Sequence, residues 1–449
     1  MKIIGSDRYT LVIGLGKTGF ACANYLAHQG QRVVVADSRA APPYLSLLRE
    51  QWPAMPIQLG PFDTELCAAA ARIVLSPGVA FSEPAVQAAV ANGVPVASEI
   101  DLFSVAAKAP VVAITGSNAK STVTSLVGHM AQTAGYNVAV GGNLGTPAVE
   151  LLDESVQLYV MELSSFQLET THGLSAEVAC VLNISPDHMD RYDNNLMAYH
   201  RAKQRVFQGC KKVVENADDH LTFALVPSSV EHRQFTLGEP DLKQYGVRHE
   251  NAQDWLCLGL DKLIRTEELA MTGRHNVANC LAALAIGDSV GLPRDAMLES
   301  LRVFTGLAHR CEFVAEQSGI TYINDSKGTN VGATVAAISG LGATIKGKVV
   351  LLAGGMGKGA DFTDLSKPMS EFGRAAVVYG QDGAAIGEVL EKTLTTYSAN
   401  DMEAALLQAR VVAQPGDLVL LSPACSSFDA YQSFEQRGEH FRQLVEAQA

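Results

Sequence analysis

Short apolar runs alternate with helical stretches along the first hundred residues of the chain. Leu11–Ile13 is one such run, a glycine-rich turn follows it, and Phe20–His28 then has the pattern of a helix. Gly30 ends that helix, and Arg32–Ala36 is the next apolar run. Further runs continue this order at 73–75 and 94–96. Alternating strands and helices predict a parallel sheet covered by helices on both faces.

A second series of strands and helices begins after Lys108, where Pro110 precedes the β-branched run Val111–Thr115. A polar turn follows, and the apolar residues beyond it recur at the spacing of one helical face. These residues are Val123, Leu126, Val127 and Met130. Later apolar runs lie at 158–161, 178–182 and 213–214, and 273–286 has the pattern of a helix. The mixed pattern of residues 216–272 predicts no definite element.

A third unit begins near Gly306. It has buried apolar runs at 348–353, 375–379 and 418–422, with helical stretches at 384–391 and 402–412. The predicted fold class is therefore α/β, in three domains arranged in series. We place the domains at residues 1–98, 99–306 and 307–449.

Chain length and composition are consistent with this organisation. A chain of 449 residues fits three domains at about 150 residues each. Hydrophobic residues are 47% and charged residues 18%, which is a globular composition. Lys plus Arg total 34 and Asp plus Glu total 47, so the net charge is −13. We therefore expect no nucleic-acid partner, and anionic ligands must bind at local basic or backbone-amide sites.

The sequence also predicts a cytoplasmic location without a membrane partner. Asp7 and Arg8 lie where a signal peptide has its apolar stretch, and no apolar run approaches the roughly 20 residues of a membrane span. The eight cysteines are scattered in mainly apolar surroundings, and no C-x-x-C pair occurs. We interpret them as buried, reduced thiols rather than disulfides or metal ligands.

A candidate phosphate-binding loop lies between a predicted strand and a predicted helix. It comprises Thr115, Gly116, Ser117, Asn118, Ala119, Lys120, Ser121 and Thr122. Backbone amides at a helix start face phosphates, Lys120 would reach the β- and γ-phosphates, and Ser121 or Thr122 would hold Mg²⁺. The match to the usual Walker pattern is imperfect because Ile114 and Ala119 stand at its glycine positions. The alternative is an ordinary polar turn that caps the helix.

A second glycine motif, Gly14-x-Gly16-x-x-Gly19, follows the first strand, and Asp37 ends the second. This pattern is typical of dinucleotide-binding folds, where the acid contacts a ribose hydroxyl. Arg39 could serve a phosphate or a carboxylate. NAD, a different nucleotide and a turn without a ligand all remain open at this point.

Three further residues have the chemistry of a metal or acid–base site. Glu162 ends an apolar strand, where strand ends line the ligand crevice of such folds. His188 follows the next strand among acidic residues, so it could bind a metal or act as a base, although a structural role is the alternative. Lys203 lies in a basic segment at a predicted helix start, and a charged helix face exposed to solvent is the alternative explanation for this segment.

Taken together, the motifs resemble the Mur ligases, which are ATP-dependent amide-forming enzymes of peptidoglycan precursor synthesis. The motifs are T-G-S-N-A-K-S-T (115–122), E-L-S-S-F-Q-L-E (162–169), D-H-M-D-R-Y (187–192), G-R-H-N (273–276), G-L-A-H-R (306–310) and D-S-K-G-T-N (325–330). The resemblance covers essentially the whole chain. Two further motifs are G-L-G-K-T-G (14–19) and L-S-P-A-C-S-S (421–427). With them, the resemblance is strongest to those members of the family that add D-glutamate.

The resemblance implies a Rossmann-like domain for a UDP-sugar, a central P-loop ATPase domain and a Rossmann-like C-terminal domain that closes over the site. The implied substrates are UDP-N-acetylmuramoyl-L-alanine, D-glutamate and ATP, with two Mg²⁺ ions as cofactors, and we expect a monomer. The acid would be activated as an acyl phosphate, which the amine of D-glutamate then attacks. A folylpolyglutamate-type ligase, an NAD-dependent oxidoreductase and a non-enzymatic P-loop regulator are the alternatives.

The resemblance also implies roles for individual residues. The UDP-sugar would be bound by Gly14, Lys17, Thr18, Asp37, Ser38, Arg39, Ser76, Gly78, Asn143 and His188. ATP would be bound by the phosphate loop together with Asn276, Asn279, Arg310 and Asp325. D-glutamate would be bound by Thr329, Lys358, Ser427, Phe428 and Phe434.

The metal ions would be held by Ser121, Glu162, His188 and Lys203. Lys120, His188 and Lys203 would be the catalytic residues. An ammonium group cannot bind Mg²⁺, and the resemblance implies a carbamate on Lys203 that supplies oxygen ligands. The chain departs from the family pattern at Met356, where an Asp is usual, and at Ala119. The first departure makes the placement of Lys358 uncertain.

Overall fold

The computed structural model describes residues 8–447, so Asp7 lies outside the described residues. The first unit contains β1 (Thr10–Ile13), α1 (Lys17–His28), β2 (Val33–Asp37), α2 (Leu45–Gln51), β3 (Ile57–Leu59), α3 (Thr64–Ala69), β4 (Arg72–Leu75), α4 (Pro84–Ala91) and β5 (Val96–Ala97), and α5 (Glu99–Ala106) follows it as the connection to the second unit. The sheet of the first unit has the order β3-β2-β1-β4-β5 and is entirely parallel, as predicted.

Helix α1 begins at Lys17, three residues before the predicted start at Phe20. The glycine turn therefore occupies only residues 14–16, and Gly19 already belongs to the helix. A Cβ on Gly19 would lie 1.7 Å from the Gly14 carbonyl oxygen. The absence of a side chain at Gly19 thus allows the helix to start directly beside the strand end.

The second unit is built on a nine-stranded sheet of order β14-β13-β12-β11-β10-β9-β6-β8-β7. Its elements are β6 (Val111–Thr115), α6 (Lys120–Thr133), β7 (Val138–Gly142), β8 (Leu158–Glu162), α7 (Ser165–Leu168), β9 (Val178–Val181), α8 (Leu196–Gln204), β10 (Lys212–Asn216), β11 (Glu231–Phe235), β12 (Tyr245–Glu250), β13 (Gln253–Leu258), β14 (Asp261–Arg265), α9 (Arg274–Ser289) and α10 (Arg294–Val303). Short 3₁₀ turns lie at Ala148–Leu151, Arg205–Phe207, His220–Thr222 and Thr266–Glu268.

The edge of this unit, for which the sequence predicts no definite element, is antiparallel, because β12 pairs with β13 and β13 with β14 in antiparallel fashion. Asn251 and Ala252 connect β12 to β13 with positive φ angles of 53° and 59°. Two central residues with positive φ make the tight turn that joins antiparallel strands. A glycine in this turn would have indicated a hairpin in the sequence. Because the turn has alanine instead, residues 216–272 showed no clear pattern.

The third unit has a six-stranded sheet of order β15-β16-β20-β17-β18-β19, in which only the β15–β16 pair is antiparallel. Its elements are β15 (Glu312–Gln317), β16 (Ile320–Asn324), α11 (Val331–Gly342), β17 (Val349–Gly354), a 3₁₀ turn (Thr363–Leu365), α12 (Ser366–Phe372), β18 (Gly373–Tyr379), α13 (Gly383–Leu390), β19 (Thr395–Ser398), α14 (Met402–Val412), β20 (Leu418–Leu421) and α15 (Phe434–Glu446).

Apolar residues of the central strands are fully buried on both faces of the sheets, which explains their continuous apolar runs. All eight cysteines are free thiols, and seven are buried while Cys311 is partly exposed. The interpretation of reduced, mainly buried thiols is confirmed. Within residues 8–447, no helix is both long enough and apolar enough to cross a bilayer.

Candidate active site

A cavity of about 360 Å³ lies at the carboxyl ends of β1, β2 and β4. Eight of the ten residues predicted for the UDP-sugar line it: Gly14, Lys17, Thr18, Asp37, Ser38, Arg39, Ser76 and Gly78. The other two, Asn143 and His188, line a second and larger cavity. The ten residues are therefore divided between two chambers, and a ligand that contacts all of them must extend from one chamber to the other.

Asp37 is held firmly at the end of β2. Its Oδ2 accepts a hydrogen bond from the Leu15 amide at 2.6 Å and pairs with the Arg39 guanidinium at 2.7 Å. Burial opposes the charged form, but the hydrogen bonds from Arg39 and Leu15 prevail and lower the pKa of Asp37 to about 2. Asp37 is thus a fixed anion that ties the glycine turn to the second strand.

The larger cavity, of about 580 Å³, lies between the second and third units. It brings together predicted residues from seven of the motifs and from segments outside them: Ser117, Asn118, Ala119, Lys120, Ser121, Thr122, Asn143, Glu162, His188, Lys203, Asn276, Asn279, Arg310, Asp325, Thr329, Lys358, Ser427, Phe428 and Phe434. Residues far apart in the chain therefore converge, and many of them, such as Ser117 and Glu162, lie at or just after the carboxyl end of a strand.

The predicted phosphate loop connects β6 to α6. Ala119 is the residue before the helix and adopts a left-handed conformation with φ of 66°, which glycine accepts more easily than alanine. The Lys120 ammonium group donates to the carbonyl oxygens of Gly116 (2.8 Å) and Ser117 (2.9 Å). Burial lowers the pKa of Lys120. The lysine therefore curls over the loop at the position where phosphate oxygens would be.

Arg310 joins the third unit to this loop, because its guanidinium Nη2 donates to the Ser121 hydroxyl at 2.6 Å. Burial lowers the pKa of Arg310, and the nearby Glu162 and Asp325 partly oppose that effect. A cation from one unit thus lies against the helix start of another. Such a contact can couple the closure of the third unit to the binding of an anion.

Glu162 is 2% exposed at the carboxyl end of β8. Its Oε1 accepts a hydrogen bond from the Asn143 side chain at 2.6 Å, whereas its Oε2 is buried and has no hydrogen-bond partner among the described residues. A buried carboxylate oxygen without a partner is costly. A bound cation would give Glu162 Oε2 the partner that it lacks.

Lys203 is 1% exposed, so a solvated charged face is wrong for this residue. Its Nζ donates to the Gly116 carbonyl oxygen at 2.7 Å and lies 3.4 Å from the Thr115 hydroxyl. The same Nζ is 4.7 Å from the centroid of the Tyr199 ring. Burial and the nearby Lys120 hold the pKa of Lys203 well below its usual range. The structure therefore places a buried amine with a lowered pKa against the phosphate loop.

His188 lies at the rim of the cavity in a left-handed conformation with φ of 54°. Its Nε2 is 3.6 Å from Asp187 Oδ2, and its ring packs against Phe166 with centroids 4.8 Å apart. Burial lowers the pKa of His188, although Asp187 opposes the shift. Within residues 8–447, no three His, Cys, Asp or Glu side chains are grouped to hold a metal ion.

Asn276 and Asn279 lie on one face of α9, as their spacing predicts. The Asn279 side chain donates to Asn276 Oδ1 at 3.0 Å, and Asn276 donates to the Thr272 carbonyl at 2.8 Å. Both line the wall of the cavity beside His275, which the sequence did not single out. Burial lowers the pKa of His275 to about 4. This wall is therefore polar but uncharged near neutral pH.

The third unit supplies the opposite wall. Asp325 follows β16 and accepts a hydrogen bond from the Ser422 hydroxyl at 2.7 Å, and burial raises the pKa of Asp325 to about 6. Thr329, Lys358, Ser427 and Phe434 line the same side, and Phe428 is 63% exposed at its edge. The predicted amino-acid residues thus form one surface that faces the phosphate loop.

Lys327 is a residue of this wall that the sequence analysis missed. Its Nζ lies 4.0 Å from the centroid of the Phe434 ring and faces the cavity. Burial and the nearby Arg310 and Lys120 lower the pKa of Lys327 to about 8. Its place within D-S-K-G-T-N, between two residues that were chosen, is the signal that could have identified it.

Models of the Mur ligase family match the chain in three consecutive segments. The "Mur ligase MurD-like, N-terminal domain" matches residues 8–98, the "Mur ligase middle domain" matches 114–287, and the "Mur ligase, glutamate ligase domain" matches 309–425. With its three α/β sheets and the convergent cavity between them, the chain belongs to the Mur ligase family.

Curated relatives are similar over nearly the full length. A UDP-N-acetylmuramoylalanine–D-glutamate ligase from Nitrosococcus oceani is 54% identical over 437 residues, which is 97% of this chain and 96% of the relative. The enzyme of the same name from Pseudomonas aeruginosa is 51% identical over 446 residues, which is 99% of both chains.

Solved structures share the fold. A MurF ligase from Thermotoga maritima in complex with ADP matches with a TM-score of 0.63 and 15% identity, covering 99% of this chain and 97% of that chain. A UDP-N-acetylmuramate–alanine ligase from the same organism matches with a TM-score of 0.61 and 19% identity, covering 98% and 100%. The α/β fold in three domains is confirmed.

Proposed function

We propose that this protein is the ATP-dependent ligase that joins D-glutamate to UDP-N-acetylmuramoyl-L-alanine in peptidoglycan precursor synthesis. The observation that carries the proposal is the convergence, in one cavity, of the phosphate loop with Glu162, Lys203 and the third-unit wall around Lys358. The curated relatives with this name are about half identical to the chain over nearly its full length.

The reaction must make an amide from a carboxylate, which is a poor electrophile. ATP therefore phosphorylates the carboxylate of the UDP-sugar, and the amine of D-glutamate attacks the acyl phosphate with release of phosphate. Phosphoryl transfer depends mainly on positioning and on charge neutralisation. In this proposal Lys120 leaves the Gly116 and Ser117 carbonyls for the β- and γ-phosphates, and Arg310 supplies positive charge from the third unit.

The residues present fit one Mg²⁺ ion beside the phosphate loop. Glu162 and Ser121 both line the cavity, Glu162 Oε2 has no hydrogen-bond partner among the described residues, and oxygen atoms are the ligands that Mg²⁺ prefers. The Ser121 hydroxyl would become available to the ion once Arg310 turns from it to the phosphate oxygens. When bound, Mg²⁺ neutralises charge on the phosphate oxygens. Within the chain, Asn143 holds the other carboxylate oxygen of Glu162 and so fixes the direction in which Oε2 points.

A second ion near His188 requires a further oxygen ligand, and Lys203 can supply it only after modification. We propose that Lys203 reacts with carbon dioxide to form a carbamate. The neutral amine attacks the carbon of carbon dioxide and forms an N–C bond, while one C=O π bond opens and places its electron pair on oxygen. One proton leaves the nitrogen for solvent water, which gives the carbamate anion. Burial and the nearby Lys120 hold the pKa of Lys203 well below its usual range, which favours the neutral amine that this reaction needs.

The smaller cavity takes the uridine diphosphate part of the substrate in this proposal. The glycine turn offers backbone amides to the diphosphate, and Asp37, Ser38 and Arg39 surround the uridine. The sugar and its alanine then extend toward Asn143 and His188 in the larger cavity. We also propose domain limits at 1–98, 99–306 and 307–449, a monomeric state and a cytoplasmic location without membrane association.

The test is phosphate release from ATP with UDP-N-acetylmuramoyl-L-alanine and each candidate amino acid in turn. Release that depends on D-glutamate supports the proposal. Dependence on L-alanine, diaminopimelate or L-lysine would assign the chain to another reaction of the family. Binding of NAD to the smaller cavity, without binding of the UDP-sugar, would favour an oxidoreductase instead.

Lys120→Ala tests the phosphate loop. Loss of its charge removes the main fixed cation at the loop, so we expect near-complete loss of turnover while the thermal unfolding midpoint stays close to that of the wild type. Lys346→Ala, at an exposed lysine outside both cavities, is the control and should keep full turnover. Full turnover of Lys120→Ala would contradict the assignment of the loop.

A further inference from the structure

The loop that carries Lys358 leaves the end of β17 and is held by two other loops of the third unit. Met356 and Ser426 exchange backbone hydrogen bonds in both directions at 3.0 Å. The Gly357 amide, directly before Lys358, donates to the carboxylate Oδ2 of Asp382 at 2.7 Å. Lys358 itself has a left-handed backbone with φ of 54°, a conformation that persists in a non-glycine residue only where its surroundings fix it.

Asp382 occupies the N-cap position of α13, but its side chain accepts no hydrogen bond from its own helix. An Asp at an N-cap ordinarily accepts from an amide two or three residues later. Asp401 does this at the start of α14, where it accepts from the Ala404 amide at 2.8 Å. The carboxylate of Asp382 is instead directed to a loop 25 residues away in sequence.

The backbone of Asp382 holds the same loop a second time. Its amide donates to the Gly355 carbonyl oxygen at 2.9 Å, while its carboxylate accepts from Gly357. Asp382 thus contacts the main chain on both sides of Met356. Met356, where the sequence departs from the family pattern, contributes backbone hydrogen bonds to Ser426. The amide directly before Lys358 is instead fixed by the carboxylate of Asp382.

We propose that Asp382 is a positioning residue for the amino-acid site: it sets the conformation of the loop 355–358 and thereby the place of the Lys358 ammonium group. This inference rests on the proposed function, in which Lys358 binds a carboxylate of D-glutamate. Asp382 does not line the cavity, so it acts through the loop rather than on the substrate.

Asp382→Ala tests the proposal through the KM for D-glutamate. Hydrogen bonds to charged groups contribute enough that their loss should raise this KM about tenfold or more, with the KM for ATP unchanged. Asp382→Asn keeps an oxygen acceptor at the same place and should recover most of the affinity. It also keeps the test valid if the alanine variant folds poorly.

Asp401→Ala is the matched control, because it removes an N-cap Asp that does cap its own helix. It should lower the thermal unfolding midpoint without changing the KM for D-glutamate. Hydrogen exchange of a peptide covering 354–360, measured without substrates, should be faster in Asp382→Ala and unchanged in Asp401→Ala.

The outcomes separate this inference from the function it rests on. A wild-type protein whose phosphate release does not depend on D-glutamate contradicts the proposed function, whereas unchanged exchange at 354–360 in Asp382→Ala overturns the positioning role whatever the substrate is. With an active wild type, a KM for D-glutamate within about twofold of the wild-type value in Asp382→Ala also overturns it, since twofold is below the effect of one such hydrogen bond.

Discussion

At the scale of single residues, the site depends on ionisable groups held away from water. Lys203 and Glu162 are both almost fully buried, and neither forms an ion pair with another described residue. Burying an ionised group costs free energy, and for Glu162 a bound cation can offset that cost. Their burial is consistent with the metal and carbamate roles proposed for them.

Lys203→Ala is expected to abolish turnover, because it removes the nitrogen that would carry the carbamate. Added short carboxylates, such as acetate or propionate, should partly restore phosphate release by entering the vacated space as oxygen ligands. The measurement is turnover with and without the added acid, and Lys120→Ala is the control that no added carboxylate should rescue. Absence of rescue in Lys203→Ala would leave the carbamate without support.

At the scale of elements, the join between β6 and α6 decides the shape of the phosphate loop. Ala119 must take a positive φ there, while Ala134 at the other end of the same helix has φ of −76°. The two alanines that flank this helix thus have φ angles of opposite sign.

We therefore expect Ala119→Gly to raise the free energy of unfolding by up to about 1 kcal/mol, because glycine removes the left-handed strain of alanine. Ala134→Gly should lower the free energy of unfolding by about 0.5–1 kcal/mol, since no positive φ is relieved there. Urea denaturation of the two variants measures both effects. A loss of stability in Ala119→Gly would show that the loop relaxes in solution to another conformation.

At the scale of the whole molecule, the cavity exists because the third unit lies against the second. Helix α11 packs on α9, and Gly340 of α11 meets His275 of α9 so closely that a Cβ would lie 2.3 Å from His275 Nδ1. Further contacts between these units are made by Arg310 at Ser121 and by Asn330 at Asn118. A Cβ at position 340 would therefore force the His275 ring or the packing of α11 on α9 to shift.

Gly340→Ala should therefore oppose closure. Overpacking commonly costs about 1–3 kcal/mol, so the closed population and the turnover should fall about tenfold. Alanine favours a helix, so α11 itself should stay intact. Small-angle scattering with an ATP analogue should show a larger radius of gyration than the wild type. Gly387→Ala, whose Cβ would make ordinary contacts, is the control. Turnover equal to the wild type would contradict the closure role.

The sequence by itself determined the local elements and the chemistry that they carry. Continuous apolar runs identified most of the central buried strands, although not Ile320–Asn324, and glycine or polar turns after those runs identified the two loops for which ligand binding is proposed. These signals are local, so one chain suffices to detect them. The β12–β13 hairpin escaped detection because its turn uses Asn251 and Ala252 without a glycine.

Only the tertiary structure decided how these pieces meet. It buried Lys203 in what its sequence context suggested was a solvated face, added Lys327 to the cavity wall, and divided the predicted sugar-nucleotide residues between two chambers. It also directed the carboxylate of Asp382 away from its own helix to the loop of Lys358. Burial and long-range hydrogen bonds depend on residues distant in the chain, and so no local pattern records them.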